Sequence, residues 1–317
     1  MSTAVAAPRM ITARAKVNTY TARDGSQRDI ELAYDIFGDR GRPLVLIMGI
    51  GAQRIFWDDA FCELGVAAGF QVIRFDARDV GQSTHLDAPV PPPTPTLLKG
   101  LARLDVHAPY DLSDMARDAV GLFDALGLDR PHVVGASLGG MVVQHLGIEH
   151  GARIGSITAI MTSPGARRFM PKPHALGALF APAPKTAEQA GLHAEKLFTT
   201  IGSRAWSVDG ERLRVLGAEA FARGSNPRGF LRQFAAVMAS GDRAARLPAV
   251  TTPTLVIHGS ADPMFPLSAG RTLANLVEDG TWLPIAGMGH DMPAPLWPTL
   301  MSAIKRHAAR ADARAIV

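Results

Sequence analysis

His132-Val-Val-Gly135-Ala-Ser137-Leu-Gly139-Gly140 is an apolar strand that runs into Gly-x-Ser-x-Gly and then into a helical pattern from Leu138 to His150. That context makes it a nucleophile elbow, with Ser137 as the candidate nucleophile. A serine on so tight a strand-to-helix turn carries strained backbone angles, and a side chain two positions before or after it collides with the turn. Glycine at 135 and 139 removes both collisions, and Gly140 lets the new helix pack closely on its neighbours. The helix N-terminus directs its dipole and the free N–H of Leu138 toward charge developing beside Ser137.

Strand and helix patterns alternate on both sides of the elbow. Arg28 to Phe37 alternates as a strand and meets a turn at Gly38-Asp39-Arg40-Gly41; Pro43 to Met48 is an apolar run of the kind buried in a parallel sheet. Trp57 to Ala68 has helical spacing, Gln71 to Phe75 reads as a strand, and Asp111 to Leu126 as a helix closed by Gly127. Beyond the elbow come a strand at Ser156 to Thr162 and, after a long gap, a strand at Thr254 to His258. A helix at Ser268 to Glu278, a strand at Thr281 to Ile285 and a helix from Pro295 to Ala309 complete the pattern. The alternation predicts an α/β fold with a mainly parallel sheet flanked by helices.

Two stretches interrupt that rhythm. Residues 87–109 include Pro91, Pro92, Pro93 and Pro95, which predicts a stiff loop and a short helix over Thr96 to Leu104. Residues 163–247 carry helical patterns at Thr186 to Thr200, Glu211 to Ala222 and Pro227 to Ser240, which predicts a helical cap inserted between sheet strands. The expected organisation is an N-terminal extension over 1–23, a core over 24–162 and 248–317, and a cap over 163–247. Ala308 to Val317 reads as a frayed helix end.

A neutral serine hydroxyl is a weak nucleophile and needs a histidine to take its proton and a carboxylate to orient that histidine. Thr254 to His258 leads through a turn to Asp262, just beyond the C-terminal end of the strand. Thr281 to Ile285 leads through Gly287 and Gly289 to His290, one strand later. Both side chains are therefore expected at the same sheet edge as Ser137.

The chain order Ser137, Asp262, His290 resembles that of the α/β-hydrolase triad. Leu46-Ile-Met-Gly-Ile-Gly51, Ile73-Arg-Phe-Asp-Ala-Arg-Asp-Val-Gly-Gln-Ser83 and Pro284-Ile-Ala-Gly-Met-Gly-His290 resemble the branch of that superfamily containing aclacinomycin methylesterase and related bacterial carboxylesterases. The resemblance runs from about residue 24 to the C-terminus and implies the α/β-hydrolase fold. Where many members have His-Gly after the third strand, this chain has Met48-Gly49, so a polar anchor of that loop is missing. By position the resemblance implies Ile50 and Leu138 as oxyanion-hole donors, with Gly49 and Gly51 as alternatives to Ile50.

The function expected is a serine carboxylesterase acting on a small-molecule ester, with no metal or organic cofactor. A proline iminopeptidase or other amide hydrolase of the same fold is the alternative. A non-catalytic ligand receptor on the same scaffold is a further reading, weakened by the filled triad. Phe56, Trp57 and Met288, with Met141, are candidates for an apolar substrate pocket, and core packing is an equal reading for each. Asp76, Arg78, Asp79 and Ser83 read as an internally hydrogen-bonded loop bracing the oxyanion segment. His258 sits near Asp262 as a candidate support of the site.

Composition sets the remaining bounds. The 317 residues are 47% hydrophobic, enough for a large core. The net charge of +4 comes from 33 basic residues scattered among 29 acidic ones, which argues against a nucleic-acid partner. Cys62 is the only cysteine, so no intrachain disulfide forms, and it reads as buried packing. His107, His132, His145 and His150 lack acidic partners at metal-ligand spacing. No apolar run reaches the roughly 18 residues of a membrane span, and Met1 to Met10 lacks the pattern of a secretion signal, so a cytoplasmic protein without a membrane partner is expected. Oligomeric state leaves no mark in the sequence.

Overall fold

The computed structural model describes residues 10–102 and 104–315. Eight strands form one sheet: β1 (Met10–Thr21), β2 (Gln27–Phe37), β3 (Arg42–Ile47), β4 (Phe70–Phe75), β5 (His132–Ala136), β6 (Ser156–Ile160), β7 (Thr254–Gly259) and β8 (Gly280–Ile285). Their spatial order is β1-β2-β4-β3-β5-β6-β7-β8. β1–β2 and β2–β4 are antiparallel, and every later pairing is parallel. β5, β6 and β7 are buried along their whole length, as continuous apolar runs require when helices cover both faces.

One face of the sheet packs against α3 (Leu112–Ala125), α4 (Leu138–His150) and α9 (Leu267–Leu276), through residues such as Leu122, Phe123, Val143 and Leu273. The other packs against α1 (Asp59–Ala67) and α10 (Trp297–Ala315), through Phe61, Leu300 and Ile304. Cys62 lies in this second core, where burial pushes its thiol up to about 12. The short helix α2 (Pro93–Ala102) begins inside the Pro-rich stretch, three residues before its expected start. No helix among the described residues is long and apolar enough to cross a membrane.

Two elements differ from the sequence reading. Residues 1–23 were expected outside the core, but Met10–Thr21 is the edge strand β1; the first nine residues of that extension lie outside the described residues. The strand escapes a periodicity argument because it buries little: its side chains alternate between exposed and half-buried, and Arg14 and Lys16 pair with Glu31 and Asp29 across the ladder. Gly121 on α3 leaves room for it, since a Cβ there would lie 2.1 Å from the Val17 carbonyl oxygen. The second is α5 (Pro173–Leu179), a short helix opened by a proline in its first turn. It begins the helical segment between β6 and β7, which continues as α6 (Ala187–Ile201), α7 (Gly210–Gly224) and α8 (Pro227–Ser240).

The chain runs from β3 to β4 on one side and returns to place β5 on the other. The carboxyl ends of β3 and β5 therefore flank a topological switch point, where open α/β sheets leave a crevice for ligands. Ile47 and Gly135, the last residues of that parallel ladder, deliver the loops at 48–52 and at Ser137 side by side.

Burial also writes a pH dependence into the fold. His307 on α10 lies against the Pro253 carbonyl oxygen at 3.1 Å, and burial pushes its pKa from 6.5 down to about 4. The unfolded chain takes up this proton near pH 6.5 and the folded chain only near 4, so His307 opposes unfolding fully above that window, progressively less through it, and no longer below it. The loss is on the order of 3 kcal/mol between pH 6.5 and 4. Burial shifts His132, His145 and His258 in the same direction. Urea unfolding from pH 7 to 4 is expected to show falling stability, with a shallower slope in His307→Leu.

Candidate active site

Ser137 sits between β5 and α4 at φ 55° and ψ −114°, a left-handed position that a non-glycine residue rarely takes. Its N–H donates to the Ile160 carbonyl (3.0 Å), and its own carbonyl accepts from the Thr162 hydroxyl (2.8 Å). The flanking glycines are needed for space. A Cβ on Gly135 would lie 2.1 Å from the Gly139 carbonyl oxygen, as the turn itself predicts. A Cβ on Gly139 would lie 2.1 Å from the Ile47 carbonyl oxygen, so that collision is with β3 rather than with the turn. Gly140 makes the close approach to Thr162.

Asp262 and His290 reach the same sheet edge. His290 Nε2 lies 3.0 Å from Ser137 Oγ, and His290 Nδ1 lies 2.9 Å from Asp262 Oδ2. The other carboxylate oxygen of Asp262 accepts the backbone N–H groups of Met264 (2.7 Å) and Phe265 (3.0 Å), which fixes the carboxylate plane. His258 is fully buried, with Nε2 facing the Phe265 carbonyl (3.1 Å) and standing 3.5 Å from Asp262 Oδ2. Burial lowers its pKa, so it stays neutral and supports the Asp262 turn without adding charge.

The loop after β3 lies against the serine: a Cβ on Gly49 would be 3.3 Å from Ser137 Cβ. The Gly49 carbonyl accepts the Ala52 N–H (3.2 Å), and Gly51 occupies φ +65° inside that turn, which glycine adopts without strain. The Gly51 N–H, one alternative to Ile50 in the sequence reading, is already engaged, donating to Gln233 Oε1 at 2.8 Å. Ile50 and Leu138 line the cavity that also holds Ser137.

Asp76, Arg78, Asp79 and Ser83 are all buried and are joined by partners that no local pattern marks. Asp76 accepts the backbone N–H of Arg54 (2.6 Å) and its guanidinium (2.5 Å), and Arg54 also faces Asp35 (3.0 Å). The Ser83 hydroxyl donates to the Asp76 carbonyl (2.5 Å). Arg78 forms a two-pronged pair with Asp118 of α3 (2.6 and 2.6 Å). Asp79 accepts a matching pair from Arg232 of α8 (2.8 and 2.6 Å) and the Tyr110 hydroxyl (2.9 Å). Arg54, Arg232 and Gln233 are the residues that sequence reading missed; they lie about 20 to 180 positions from their partners, and their only sequence mark is a polar residue on an otherwise apolar helix face or turn.

The segment between β6 and β7 also touches the histidine loop. The His290 N–H donates to the Ile201 carbonyl at the end of α6 (2.8 Å), and Gly289 N–H donates to Ser203 Oγ (2.9 Å). Ser203 in turn donates to Asp291 (2.5 Å), a carboxyl whose pKa burial raises.

Two cavities flank the loop at 48–52. The one holding Ser137, about 140 Å³, is walled by apolar groups including Met141, Phe169, Phe234, Val237 and Phe265. The second, about 310 Å³, is lined by Met48, Ala52, Phe56, Trp57, Asp58 and Asp291 among others. Of the residues expected to line a substrate pocket, Met141 stands with Ser137, whereas Phe56 and Trp57 stand in the second cavity. Trp57 is nearly all buried, with its ring stacked on Phe61 at 5.5 Å. Met288 is a correction: it is fully buried in the α1–α10 core and lines neither cavity. The turn at Gly287 (φ 74°) sends it back beneath the sheet, packed where a Cβ on Gly259 would stand 2.9 Å from its Cβ.

Steric need at the elbow is measurable. Gly139→Ala is expected to lose about 1–3 kcal/mol in chemical unfolding, as forced overpacking does. Gly127→Ala serves as the control, since its φ is +62° and nothing lies within 4 Å of the added Cβ. It is expected to lose only the left-handed strain of about 1 kcal/mol.

Comparison with known proteins agrees with this geometry. Residues 42–293 match the family described as alpha/beta hydrolase fold. The chain is 30% identical over 267 residues to a protein named as a carbamate hydrolase, RutD, of Variovorax paradoxus (strain S110), with 82% of this chain and 90% of that one covered. It is 29% identical over 290 residues to the rhodomycin D methylesterase DnrP of Streptomyces peucetius, with 84% and 90% covered. A solved structure of a thermophilic esterase from Thermogutta terrifontis shares the fold at a TM-score of 0.67 and 22% identity, with 94% and 99% covered. An eight-stranded sheet of this order and a family match over most of its length make this chain a hydrolase belonging to the alpha/beta hydrolase fold family.

Proposed function

We propose that the protein is a serine carboxylesterase. The observation that carries this reading is the pair of contacts on His290, 3.0 Å to Ser137 Oγ and 2.9 Å to Asp262. Ser137 Oγ attacks the ester carbonyl carbon while His290 Nε2 takes the hydroxyl proton. The oxyanion forms between the N–H groups of Leu138 and Ile50. Collapse breaks the C–O bond, and His290 returns the proton to the departing alcohol. Water, deprotonated by His290, then releases the acid from Ser137. Asp262 holds the Nδ1 proton and stabilises the imidazolium, and each oxyanion donor is worth about 10²-fold in rate. The steps require no metal or organic cofactor.

Residues 163–247 act in this reading as a cap, with Phe169, Phe234 and Val237 closing an apolar chamber for one side of the ester. Among the described residues no carboxylate lines that chamber, and the charged ones that do are Arg167 and Arg243. An aminopeptidase needs an anionic partner for a free amino terminus, so the iminopeptidase reading is disfavoured. Hydrolysis of a carbamate or simple amide is the second reading, supported by the similarity to RutD.

Hydrolysis of p-nitrophenyl esters of rising acyl length, beside matched carbamates and anilides, tests both. Ester turnover is expected to exceed the others and to fall on the order of 10⁶-fold in Ser137→Ala and 10⁴-fold in Asp262→Asn. Faster carbamate turnover would favour the second reading, and normal turnover in Ser137→Ala would remove the proposed mechanism.

A further inference from the structure

Gln233 stands in the helical insertion, 182 positions from the residue it holds. It is fully buried on α8, and both ends of its amide are used. Oε1 accepts the Gly51 N–H at 2.8 Å, and Nε2 donates to the Arg78 carbonyl at 3.0 Å. The consequence lies one residue back. Ile50 is flanked by two peptide planes: the Gly49–Ile50 plane is pinned where the Gly49 carbonyl accepts the Ala52 N–H, and the Ile50–Gly51 plane is pinned by Gln233. With both planes held, the direction of the Ile50 N–H is set. Phe230, one turn earlier on α8, closes on the same loop, since a Cβ on Gly51 would lie 2.9 Å from its ring.

The anchor of α8 is itself firm. Arg232, the neighbour of Gln233, makes its two-pronged pair with buried Asp79, and Asn226 at the helix N-terminus donates to the Asp79 carbonyl (3.0 Å). The loop carries Met48 where many relatives in the superfamily have a polar anchor, so it needs a brace from elsewhere.

We propose that Gln233 is a positioning residue for the oxyanion hole: the helical insertion sets the Ile50 N–H through the Gly51 backbone, and so contributes to turnover as well as to covering the site. This inference rests on the serine-hydrolase reading. Preorganisation of donors is where such a brace acts, because a donor free to rotate must be reoriented as charge develops.

The test compares Gln233→Met, which removes both acceptor and donor, with Gln233→Glu, which, protonated at this fully buried position, keeps an oxygen facing Gly51 and an O–H facing the Arg78 carbonyl. Rates are counted per active site, titrated with a fluorophosphonate, so that a loss of folded protein drops out. Gln233→Met is expected to lower kcat for a p-nitrophenyl ester about 10- to 100-fold with KM little changed, within the range of losing one donor. A trifluoromethyl ketone, whose adduct with Ser137 carries the oxyanion, is expected to weaken by the same factor, while the corresponding secondary alcohol binds as before. Gln233→Glu should stay within about five-fold of native in kcat, as rescue by a retained acceptor. Native kcat in Gln233→Met, equal weakening of ketone and alcohol, or a more than tenfold loss in Gln233→Glu would each overturn the proposal. If Gln233→Met does not fold, the Gln233→Glu rate and its ketone affinity decide alone. Ser137→Ala run in parallel separates the failures: an active Ser137→Ala removes the serine mechanism, whereas an inactive one beside a fully active Gln233→Met removes only the brace.

Discussion

Ser137 is held at φ 55° and ψ −114°, a backbone conformation that costs about 1–3 kcal/mol and persists only where its surroundings over-determine it. Here three neighbours do so. β6 takes its N–H through Ile160, the Thr162 hydroxyl caps its carbonyl, and β3 stands so close that only glycine fits at 139. The same close approach brings the loop after β3 against the serine and opens the N-terminus of α4 beside it. The positions of Ser137, the loop at 48–52 and the α4 N-terminus are therefore one geometric consequence of a turn squeezed between two parallel strands.

That squeeze leaves two loops to be positioned from outside the sheet, and the segment between β6 and β7 meets both. Ile201 and Ser203 hold the backbone of the His290 loop, and Gln233 with Phe230 holds the loop at 48–52. The docking of α8 runs through the buried pair of Arg232 with Asp79. A buried pair adds little net stability, because desolvation offsets the attraction, yet removing one partner costs about 3–5 kcal/mol. Every arrangement that displaces Arg232 leaves Asp79 buried without its cation, so the pair penalises misdocking more than it strengthens the native state.

The sheet and the meeting of Ser137, Asp262 and His290 at one sheet edge were legible from sequence for a physical reason. Buried parallel strands must be continuous apolar runs, and Ser137 and Asp262 follow such runs directly, while His290 follows the half-buried edge strand β8. A side chain one to five residues beyond a strand end has nowhere else to go. The pieces that escaped are those whose meaning depends on a distant partner. β1 is an edge strand that buries little, so its periodicity is weak. Arg54, Arg232 and Gln233 look like ordinary polar residues until the fold brings Asp76, Asp79 and Gly51 to them. Met288 misled because nearness to His290 in sequence does not decide what its side chain packs against: it is fully buried in the α1–α10 core, close to Gly259.

Charge is distributed around Ser137 with a consistent sense. Asp262 lies behind His290, on its Nδ1 side, whereas Ser137 stands on the Nε2 side. Ile50, Leu138 and Arg243 line the chamber beside Ser137, and Arg243 is buried and donates to neutral oxygens of Gln144, Gly241 and Ser163. Burial pushes the Arg243 guanidinium down to about 10, with neighbouring Asp242 offsetting part of that shift. Under the proposed esterase mechanism, negative charge on the substrate carbonyl oxygen would arise beside Ile50 and Leu138, and the imidazolium of His290 would meet Asp262 on the other side. In that proposal an ammonium group brought into the chamber would meet Arg243 rather than a carboxylate.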